Sequence, residues 1–433
     1  MKRVTKTDRF ASYYAAIKYL ESLGNIGSGY QKTDLLSHHR PIMFLERMQD
    51  LLDLCGNPER QFKYIHITGT AGKGSVASAI HAELIKANKK SGLFTSPFTV
   101  TTIEKIQVSK KYIDPIVFAE STENLKPKVD EMLLSGRHGI PSYFEMILAI
   151  ALIYFKKEKC EYVVLEVGLG GSYDATNIIE KPLITAITNI GLDHTMILGP
   201  TREHIAKDKA GIIKKDSTFF TTEDDENILK IFREKCVQVG AEYNPIKVDG
   251  CDFEEKNRLL VGNICTSLGI INRIAELGTP PSLPARFEIM EKNPLVIIDG
   301  AHNPSKIVST IINLNKLQYN SLDLLIAFSA DKDWKAMLQT IAPFAKRIFV
   351  TRFNVPFRSS VNPRELYEET KLYASKKCNV YLYSDPVLAF KTARNSMKNK
   401  SVLLVVGSFY LSGDIRALYC SEKQILENRS SKY

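Results

Sequence analysis

The hydrophobic positions fall into short, nearly continuous apolar runs that alternate with stretches of helical periodicity. Such runs are typical of strands buried on both faces of a parallel sheet, and the periodic stretches between them predict crossover helices. We expect strands at Tyr64 to Thr68, Gly92 to Thr95, Tyr162 to Val167, Ile184 to Ile190, Thr218 to Thr221, Leu295 to Asp299, Leu322 to Phe328, Arg347 to Thr351, Val380 to Tyr383 and Val402 to Val406. The pattern predicts an α/β protein with doubly wound sheets.

A proline cluster, Pro280 to Pro284, separates two stretches of this alternating pattern and suits a connector between domains. The length of 433 residues accommodates two or three domains. We expect a P-loop-type domain with a mostly parallel sheet over residues 1–284. A smaller, Rossmann-like α/β domain is expected over residues 285–433, with the active site between the two.

Composition narrows the class of protein. The chain is 44% hydrophobic and 24% charged, as in an ordinary globular protein. Its net charge of +10 comes from dispersed lysine pairs without an RNA-binding signature, which favours anionic small substrates over nucleic acid. The longest nearly apolar run, Tyr143 to Phe155, contains Glu145 and is shorter than the ~20 residues that span a bilayer. We therefore interpret it as a buried helix and expect no membrane association.

Cysteine usage and the N-terminal residues bear on the cellular compartment. The seven cysteines contain no C-x-x-C pair, which predicts reduced thiols rather than disulfides. The basic segment Met1 to Lys6 is not followed by the apolar core of a secretory signal. A cytoplasmic location is expected, and a monomer is the simplest oligomeric state.

The segment Gly69 to Ser75 (Gly-Thr-Ala-Gly-Lys-Gly-Ser) follows the first predicted strand and opens a helical pattern. Its glycines let backbone N–H groups approach an anion, Lys73 adds a positive charge, and the Ser75 hydroxyl can bind Mg2+. The spacing differs from the commoner G-x4-G-K-[ST] form, because Ile67 stands where that form has its first glycine. We interpret the segment as a loop that holds a nucleoside triphosphate.

Glu145 interrupts an apolar helix, where a carboxylate is costly to bury unless it is paired or bound to a cation. The sequence favours Mg2+ as its partner, and a salt bridge is the alternative.

Further polar motifs stand where predicted strands end, at the edge where open α/β sheets bind ligands. They are Glu166 to Gly171 with Asp174 to Asn177, Gly191 to Thr195 around His194, Lys207 to Lys214 around Lys209, Arg286 to Glu288, and Asp299 to Pro304 around His302.

Together these motifs, spread from about Leu45 to Arg416, resemble the Mur-ligase superfamily and particularly its folylpolyglutamate synthase and dihydrofolate synthase branch. The resemblance implies ATP and two Mg2+ ions as cofactors and carbamylation of Lys209. It implies nucleotide binding by Gly69, Thr70, Gly72, Lys73, Gly74, Ser75, Arg286 and Asp299. It implies metal binding by Ser75, Ser96, Glu145, His194 and Lys209. It implies that Lys73, Lys209 and His302 take part directly in catalysis.

The resemblance also implies a reaction. ATP would phosphorylate a carboxylate of dihydropteroate or of a folate, and the amine of L-glutamate would then displace phosphate to form an amide. The sequence does not separate dihydrofolate synthase from folylpolyglutamate synthase or from an enzyme that does both.

Departures from the family pattern leave alternatives open. Ala71 stands where the family has asparagine, Ser172 where it has arginine and Asp208 where it has glutamate, and the histidine or glutamine expected before Asn263 is missing. The alternatives are a Mur-type ligase acting on another carboxylate, a non-catalytic nucleotide-binding derivative, and an unrelated P-loop kinase or ATPase.

Overall fold

The computed structural model describes residues 9–23, 42–355, 358–398 and 400–431, and the chain divides into two compact units. The first unit is Met1–Ser96 with Thr102–Pro281, and the second is Pro97–Thr101 with Ser282–Tyr433. The basic segment Met1 to Lys6 lies outside the described residues.

The strands described in the first unit form one sheet. They are β1 (Lys63–Thr68), β2 (Ser91–Phe94), β3 (Ile106–Val108), β4 (Lys111–Tyr112), β5 (Tyr162–Glu166), β6 (Ile184–Ile187), β7 (Thr218–Thr221) and β8 (Glu242–Pro245). Their order is β4-β3-β2-β5-β1-β6-β7-β8. The pairs β2–β3 and β3–β4 are antiparallel, and the other pairs are parallel.

Helices connect these strands and cover the sheet. They are α1 (Ala11–Leu23), α2 (Ile42–Leu54), α3 (Lys73–Lys86), α4 (Pro115–Ser135), α5 (Tyr143–Lys157), α6 (Thr195–Leu198), α7 (Arg202–Lys209), α8 (Glu226–Val239) and α9 (Phe253–Ser267). Apolar side chains of α3 and α9 pack against Ile65 and Ile67 of β1. Helix α5 is buried around its whole circumference from Glu145 to Leu152, which confirms the predicted buried helix.

The strands described in the second unit form a separate sheet. They are β9 (Glu288–Lys292), β10 (Leu295–Ile298), β11 (Ser321–Ile326), β12 (Ala345–Val350), β13 (Asn379–Leu382) and β14 (Ser401–Val406). The order is β13-β12-β11-β14-β10-β9, and only the pairing of β9 with β10 is antiparallel among these strands.

Helices cover both faces of the second sheet. They are α10 (Pro304–Asn315), α11 (Trp334–Ile341), α12 (Pro363–Tyr373), α13 (Pro386–Asn395), α14 (Phe409–Arg416) and α15 (Glu422–Asn428). Alternate residues of one strand enter different cores: Leu324 and Ile326 pack with α10 and α11, whereas Leu325 packs with α13 and α14. Burial on both faces explains the continuous apolar runs in the sequence.

The ten predicted strands and the mostly parallel α/β fold are confirmed. The sequence pattern missed β3, β4, β8 and β9, which are short or rich in polar residues.

The segment Pro97–Thr101 packs within the second unit although its sequence neighbours belong to the first. The hydroxyl of Thr101 donates to Oε1 of Glu422 at 2.9 Å. A Cβ atom on Gly413 would overlap the carbonyl of Thr99, so α14 can approach this segment only with glycine at that position.

Two general expectations can be compared with the described part of the chain. None of its helices combines the length and the apolar character needed to cross a membrane. All seven cysteines lie within it, and no two of them are joined by a disulfide there.

Candidate functional site

Four adjacent parallel strands of the first unit, in the order β2-β5-β1-β6, end at one edge of the sheet. Ser96 follows β2, Glu166 ends β5, and the loop Gly69 to Ser75 follows β1. The segment from Thr188 to His194 follows β6. Parallel pairing therefore brings Ser96, Glu166, the phosphate loop and the segment after β6 to one edge of the sheet.

The backbone of the phosphate loop requires its glycines. Gly69 has a φ of 149° and Gly72 a φ of 83°, conformations that other residues rarely adopt. A Cβ on Gly69 would overlap the hydroxyl of Thr188, and one on Gly72 would lie 2.7 Å from Oδ1 of Asn257. The loop thus packs directly against the chain after β6 and against α9.

Hydrogen bonds attach this loop to the segment after β6. The backbone N–H of Ala71 donates to Oδ1 of Asn189 at 2.9 Å, and the hydroxyl of Thr188 donates to the Ala71 carbonyl at 2.5 Å. The hydroxyl of Thr70 accepts from the N–H of Gly191 at 2.9 Å. These three hydrogen bonds join the phosphate loop to the segment after β6.

Lys73 and Ser75 lie in the first turn of α3, whose N-terminal N–H groups favour an anion. Nζ of Lys73 donates to the carbonyl of Gly69 at 2.9 Å, which folds its side chain back over the loop. Ser75 is half-buried on the same turn. These positions fit a role in holding phosphate and its metal.

Glu166 is the carboxylate that the structure places against the phosphate loop. Its side chain is 2% exposed, its Oε2 accepts the backbone N–H of Ser96 at 2.9 Å, and a Cβ on Gly74 would lie 3.1 Å from that same oxygen. Glu166 belongs to a motif that the sequence shows, but it was not predicted to bind metal. Its position as the last residue of a buried strand was the feature of the sequence that could have indicated a ligand-binding role.

Glu145 has a different environment from the one favoured by the sequence. Its Oε1 pairs with Nη2 of Arg47 at 2.9 Å, and its Oε2 accepts from Nε of Arg47 at 3.0 Å and from the N–H of Ser142 at 2.6 Å. Both side chains are buried. The salt bridge that the sequence left as the alternative thus accounts for this buried carboxylate, and the geometry supports it over Mg2+.

Lys209 ends α7 with its side chain buried. Burial, with the nearby charge of Lys73, lowers the pKa of Lys209 to about 7 despite the opposing charges of Asp208 and Asp193. A Cβ on Gly171 would lie 2.8 Å from the Lys209 Cα, so the glycine-rich loop after β5 lies against this end of the helix. An amine with this pKa is substantially neutral near pH 7 and able to react with CO2.

His194 has a φ of 51°, in the left-handed region, at the start of the short helix α6. Its backbone N–H donates to the Asp193 carboxylate at 2.9 Å, and its side chain is half-buried. Strained backbone of this kind is common at functional sites.

Two residues that sequence reasoning missed border the phosphate loop. Phe253 and Asn257, on the first turns of α9, both lie against Gly72, where a Cβ would be 3.1 Å from Phe253 and 2.7 Å from Asn257. Asn263, the residue singled out in the sequence, instead donates to the Leu259 carbonyl within its own helix at 2.9 Å.

Lys105 is a third missed residue. It is buried, and its ammonium lies over the rings of Tyr143 at 5.0 Å and Phe144 at 5.8 Å. Burial lowers the pKa of Lys105 to about 8, and the charge of Glu166 opposes that shift. The sequence around this lysine carried no recognisable signal.

In the second unit, the predicted residues Arg286, Asp299 and His302 lie at the start of β9, the end of β10 and the turn before α10. The guanidinium of Arg286 lies 4.1 Å from the centre of the Phe409 ring, and the His302 ring centre lies 5.3 Å from it. Both neighbours of Arg286, Ala285 and Phe287, have positive φ values. The structure therefore groups Arg286 and His302 around one aromatic ring.

Asp299 and His302 are held by local hydrogen bonds. Oδ2 of Asp299 accepts from Thr310 at 2.8 Å, and burial raises the pKa of Asp299, with Arg286 and Lys306 opposing that shift by their charge. Nδ1 of His302 lies 2.8 Å from the Gly300 carbonyl, so this nitrogen carries a proton, and Nε2 faces Nζ of Lys306 at 3.1 Å. Lys306 was not singled out in the sequence.

The described ranges contain no group of three His, Cys, Asp or Glu side chains arranged to hold a metal ion. The predicted metal set depends instead on two serine hydroxyls and on a lysine that must first be carbamylated. The buried carboxylate of Glu166, beside Ser96 and the start of α3, is an oxygen donor of the type that Mg2+ prefers.

The comparisons with known proteins agree with this arrangement of two units. Residues 67–249 match the Mur ligase middle domain, and residues 285–409 match the Mur ligase glutamate ligase domain. The chain therefore belongs to the Mur ligase superfamily.

A named relative specifies the family further. The dihydrofolate synthase/folylpolyglutamate synthase of Bacillus subtilis (strain 168) is 31% identical over 414 residues, covering 86% of this chain and 94% of that protein. The chain belongs to the folylpolyglutamate synthase and dihydrofolate synthase family, and it is an ATP-dependent ligase.

Solved structures share the fold. A Mycobacterium tuberculosis folylpolyglutamate synthase complexed with ADP and AMPPCP gives a TM-score of 0.81 at 23% identity, covering 95% of this chain and 99% of that one. A bifunctional folylpolyglutamate synthase/dihydrofolate synthase with Mn, AMPPNP and L-glutamate bound gives 0.75 at 23% identity, with coverage of 95% and 99%.

Proposed function

We propose that this protein joins the amine of L-glutamate to a carboxylate of dihydropteroate or of a folate, while ATP is converted to ADP and phosphate. The observation that carries the proposal is the grouping of the phosphate loop, Glu166 and the readily deprotonated amine of Lys209 at one edge of the first sheet. The names of the relatives support the choice of substrates.

The reaction requires an activated carboxylate, because a free carboxylate resists attack by an amine. Transfer of the γ-phosphoryl group of ATP to a carboxylate oxygen gives an acyl phosphate and ADP. The glutamate amine then attacks the carbonyl carbon, phosphate leaves, and the amine loses a proton. Lys73 and the N–H groups of the loop would bind the nucleotide phosphates, and Arg286 would add positive charge.

The metal set that this chain offers is Ser75, Ser96, Glu166, His194 and carbamylated Lys209, with Glu166 replacing the predicted Glu145. Bound Mg2+ supplies positive charge that neutralises the phosphates and the transferring phosphoryl group. Carbamylation converts the amine of Lys209 into an anionic oxygen donor. Its lowered pKa supports that chemistry.

The second unit contributes the remaining proposed contacts. Asp299 is suited to accept hydrogen bonds from a ribose, and His302 to approach phosphate or the incoming glutamate. We assign residues 1–284 to the ATP-binding domain and residues 285–433 to the ligase domain, in keeping with the matched ranges. A cytoplasmic location and a monomeric state stay predictions.

The test is to incubate the purified protein with MgATP and L-glutamate, adding dihydropteroate or a reduced folate in separate tubes, and to follow both substrates by mass spectrometry. We expect one or both to gain a glutamyl residue, and Lys73→Met to abolish the gain. If nucleotide binds but neither substrate gains glutamate, another carboxylate is the acceptor. ATP hydrolysis that is independent of glutamate would support the kinase or ATPase alternative instead.

A further inference from the structure

A buried carboxylate, Glu223, and a guanidinium, Arg202, bind the backbone N–H and carbonyl of one residue, Ile190, at the edge of the first sheet. Glu223 follows β7 and its side chain is 5% exposed. Its Oε2 accepts the N–H of Ile190 at 2.7 Å, and Nε of Arg202 donates to the Ile190 carbonyl at 3.1 Å. The backbone N–H and the carbonyl of Ile190 are therefore both bound by this pair.

Arg202 and Glu223 also bind each other. Nη2 of Arg202 donates to Oε1 of Glu223 at 2.9 Å, and Nη1 donates to Oδ2 of Asp225 at 2.7 Å. The backbone N–H groups of Asp224 and Asp225 donate to the same Oε1. The guanidinium thus links the start of α7 to the ends of both β6 and β7, in a partly buried ion pair of the stronger, hydrogen-bonded kind.

Ile190, the residue bound by this pair, lies between two parts of the proposed site. Gly191, the next residue, is hydrogen-bonded to Thr70 of the phosphate loop, and His194 follows three residues later. Arg202 is the first residue of α7 and Lys209 is the last. At 1.5 Å per residue, the two ends of this helix are about 10 Å apart, so Arg202 can act on Lys209 only through the helix.

We infer that Arg202, held by Glu223, is a positioning residue that sets His194 and Lys209 in the relative placement needed to bind the metal. This inference rests on the proposed function, in which both residues hold metal. Loss of the guanidinium would leave the Ile190 carbonyl without this donor and would uncouple α7 from the segment after β6. Residues that orient metal ligands typically contribute 10- to 100-fold to metal affinity.

The experiment measures binding of Mn2+ to the full chain without nucleotide, by the electron paramagnetic resonance signal of free Mn2+, and separately measures binding of ADP without metal. We expect Arg202→Ala to weaken Mn2+ binding roughly 10- to 100-fold and to change ADP binding little. Arg233→Ala is the matched control, because Arg233 on α8 is an exposed arginine that pairs with Glu226 and lies over the ring of Tyr243. It should bind Mn2+ as the unmodified protein does.

Chemical rescue separates positioning from general destabilisation. Millimolar guanidinium ion should restore Mn2+ binding to Arg202→Ala, whereas urea at the same concentration should not. Should Arg202→Ala fail to fold, Glu223→Gln takes its place, because it keeps an acceptor for the Ile190 N–H but loses the charge that holds Arg202. It should weaken Mn2+ binding in the same direction.

Three results would overturn the inference. One is unchanged Mn2+ binding in Arg202→Ala or in its replacement Glu223→Gln. Another is a parallel loss of Mn2+ and ADP binding in Arg202→Ala that guanidinium does not repair. The third is unchanged Mn2+ binding in His194→Ala, which would show that the proposed metal site itself is wrong and would remove the basis for a positioning role.

Discussion

The backbone N–H of Ser96 donates to Oε2 of Glu166 at 2.9 Å, which joins the ends of β2 and β5 beside the first turn of α3. A buried carboxylate thus stands against the proposed nucleotide loop, whereas the carboxylate of Glu145 is occupied by Arg47 and Ser142. The two glutamates therefore have different surroundings, and substitution can test whether their roles differ.

Glu166→Gln removes a negative charge from the proposed metal site. We expect Mg2+-dependent turnover to fall about 100-fold or more, because a bound metal contributes several kcal/mol of charge stabilisation. Glu145→Gln should leave the affinity for Mn2+ near its original value and instead lower the free energy of unfolding by about 3 kcal/mol, since it disrupts a buried ion pair. Metal titration and urea unfolding of both variants check this. Weaker metal binding in Glu145→Gln but not in Glu166→Gln would indicate that Glu145 is the metal ligand.

The proposed carbamylation of Lys209 can be tested directly. Because the pKa of this buried lysine is lowered to about 7, its neutral amine is available to CO2 under ordinary conditions. We expect 13C-bicarbonate to give a carbamate signal by nuclear magnetic resonance and Lys209→Met to lack it. Lys207→Met, at an exposed position of the same helix, should keep the signal. A spectrum without a carbamate signal in the unmodified protein would argue against the modification.

Gly69→Ala tests the packing of the phosphate loop. The new methyl group would overlap the Thr188 hydroxyl and would occupy backbone with a φ of 149°, so nucleotide binding should be lost. Gly240→Ala is the control, because Gly240 also has a positive φ but has no atom within 4 Å of the new methyl group. It should cost about 1 kcal/mol of stability and leave ADP affinity, measured by calorimetry, unchanged.

Phe409→Leu tests the aromatic contact of Arg286. The guanidinium lies 4.1 Å from the ring centre, and cation–π contacts contribute about 0.5–2 kcal/mol. If Arg286 contacts the nucleotide, the KM for ATP should rise roughly 2- to 30-fold with little change in kcat. Phe344→Leu, at an exposed position, should change neither quantity. An unaltered KM in Phe409→Leu would argue against a role of Arg286 in nucleotide binding.

His81 should make stability depend on pH. It is buried between the Ser91 hydroxyl and the Ser109 carbonyl, and burial lowers its pKa from 6.5 to about 4. Between these values the unfolded chain binds the proton and the folded chain does not, so stability is complete above pH 6.5 and is lost as the pH falls toward 4. The loss should reach ~3 kcal/mol.

Urea unfolding at several pH values checks that slope. His81→Asn should reduce the dependence of the free energy of unfolding on pH by the amount that corresponds to one proton. His204→Asn, at an exposed position, should not change that dependence. Equal slopes in the unmodified protein and His81→Asn would mean that other groups produce the acid sensitivity.

Much of the architecture could be predicted because its central strands are buried on both faces. The run Tyr162 to Glu166 is fully buried and apolar until its last residue, and such runs are visible without a structure. Strand β9, by contrast, reads Glu-Ile-Met-Glu-Lys and has only two buried residues, and β4 has only two residues in all. Pattern reasoning had too few buried positions to detect them.

The candidate site was predictable where chemistry is local in sequence and less so where it depends on distant partners. The phosphate loop carries its glycines, lysine and serine within seven consecutive residues. The role of Glu145 depends on Arg47, which lies 98 residues earlier. Asn257 and Asn263 lie on the same helix, α9, but Asn257 faces the phosphate loop and Asn263 bonds within its own helix. The helical pattern of the sequence does not show which of the two faces the loop.

The course of the chain through Pro97–Thr101 has a consequence for biosynthesis. These residues leave the ribosome long before Gly413 and Glu422, the residues that they contact in the second unit. Domains usually fold in the order of their synthesis, but here an early segment must wait for the last helices. A fragment beginning at Ser282 would lack five residues of its own unit, so cleavage of the connector would not release a complete C-terminal body.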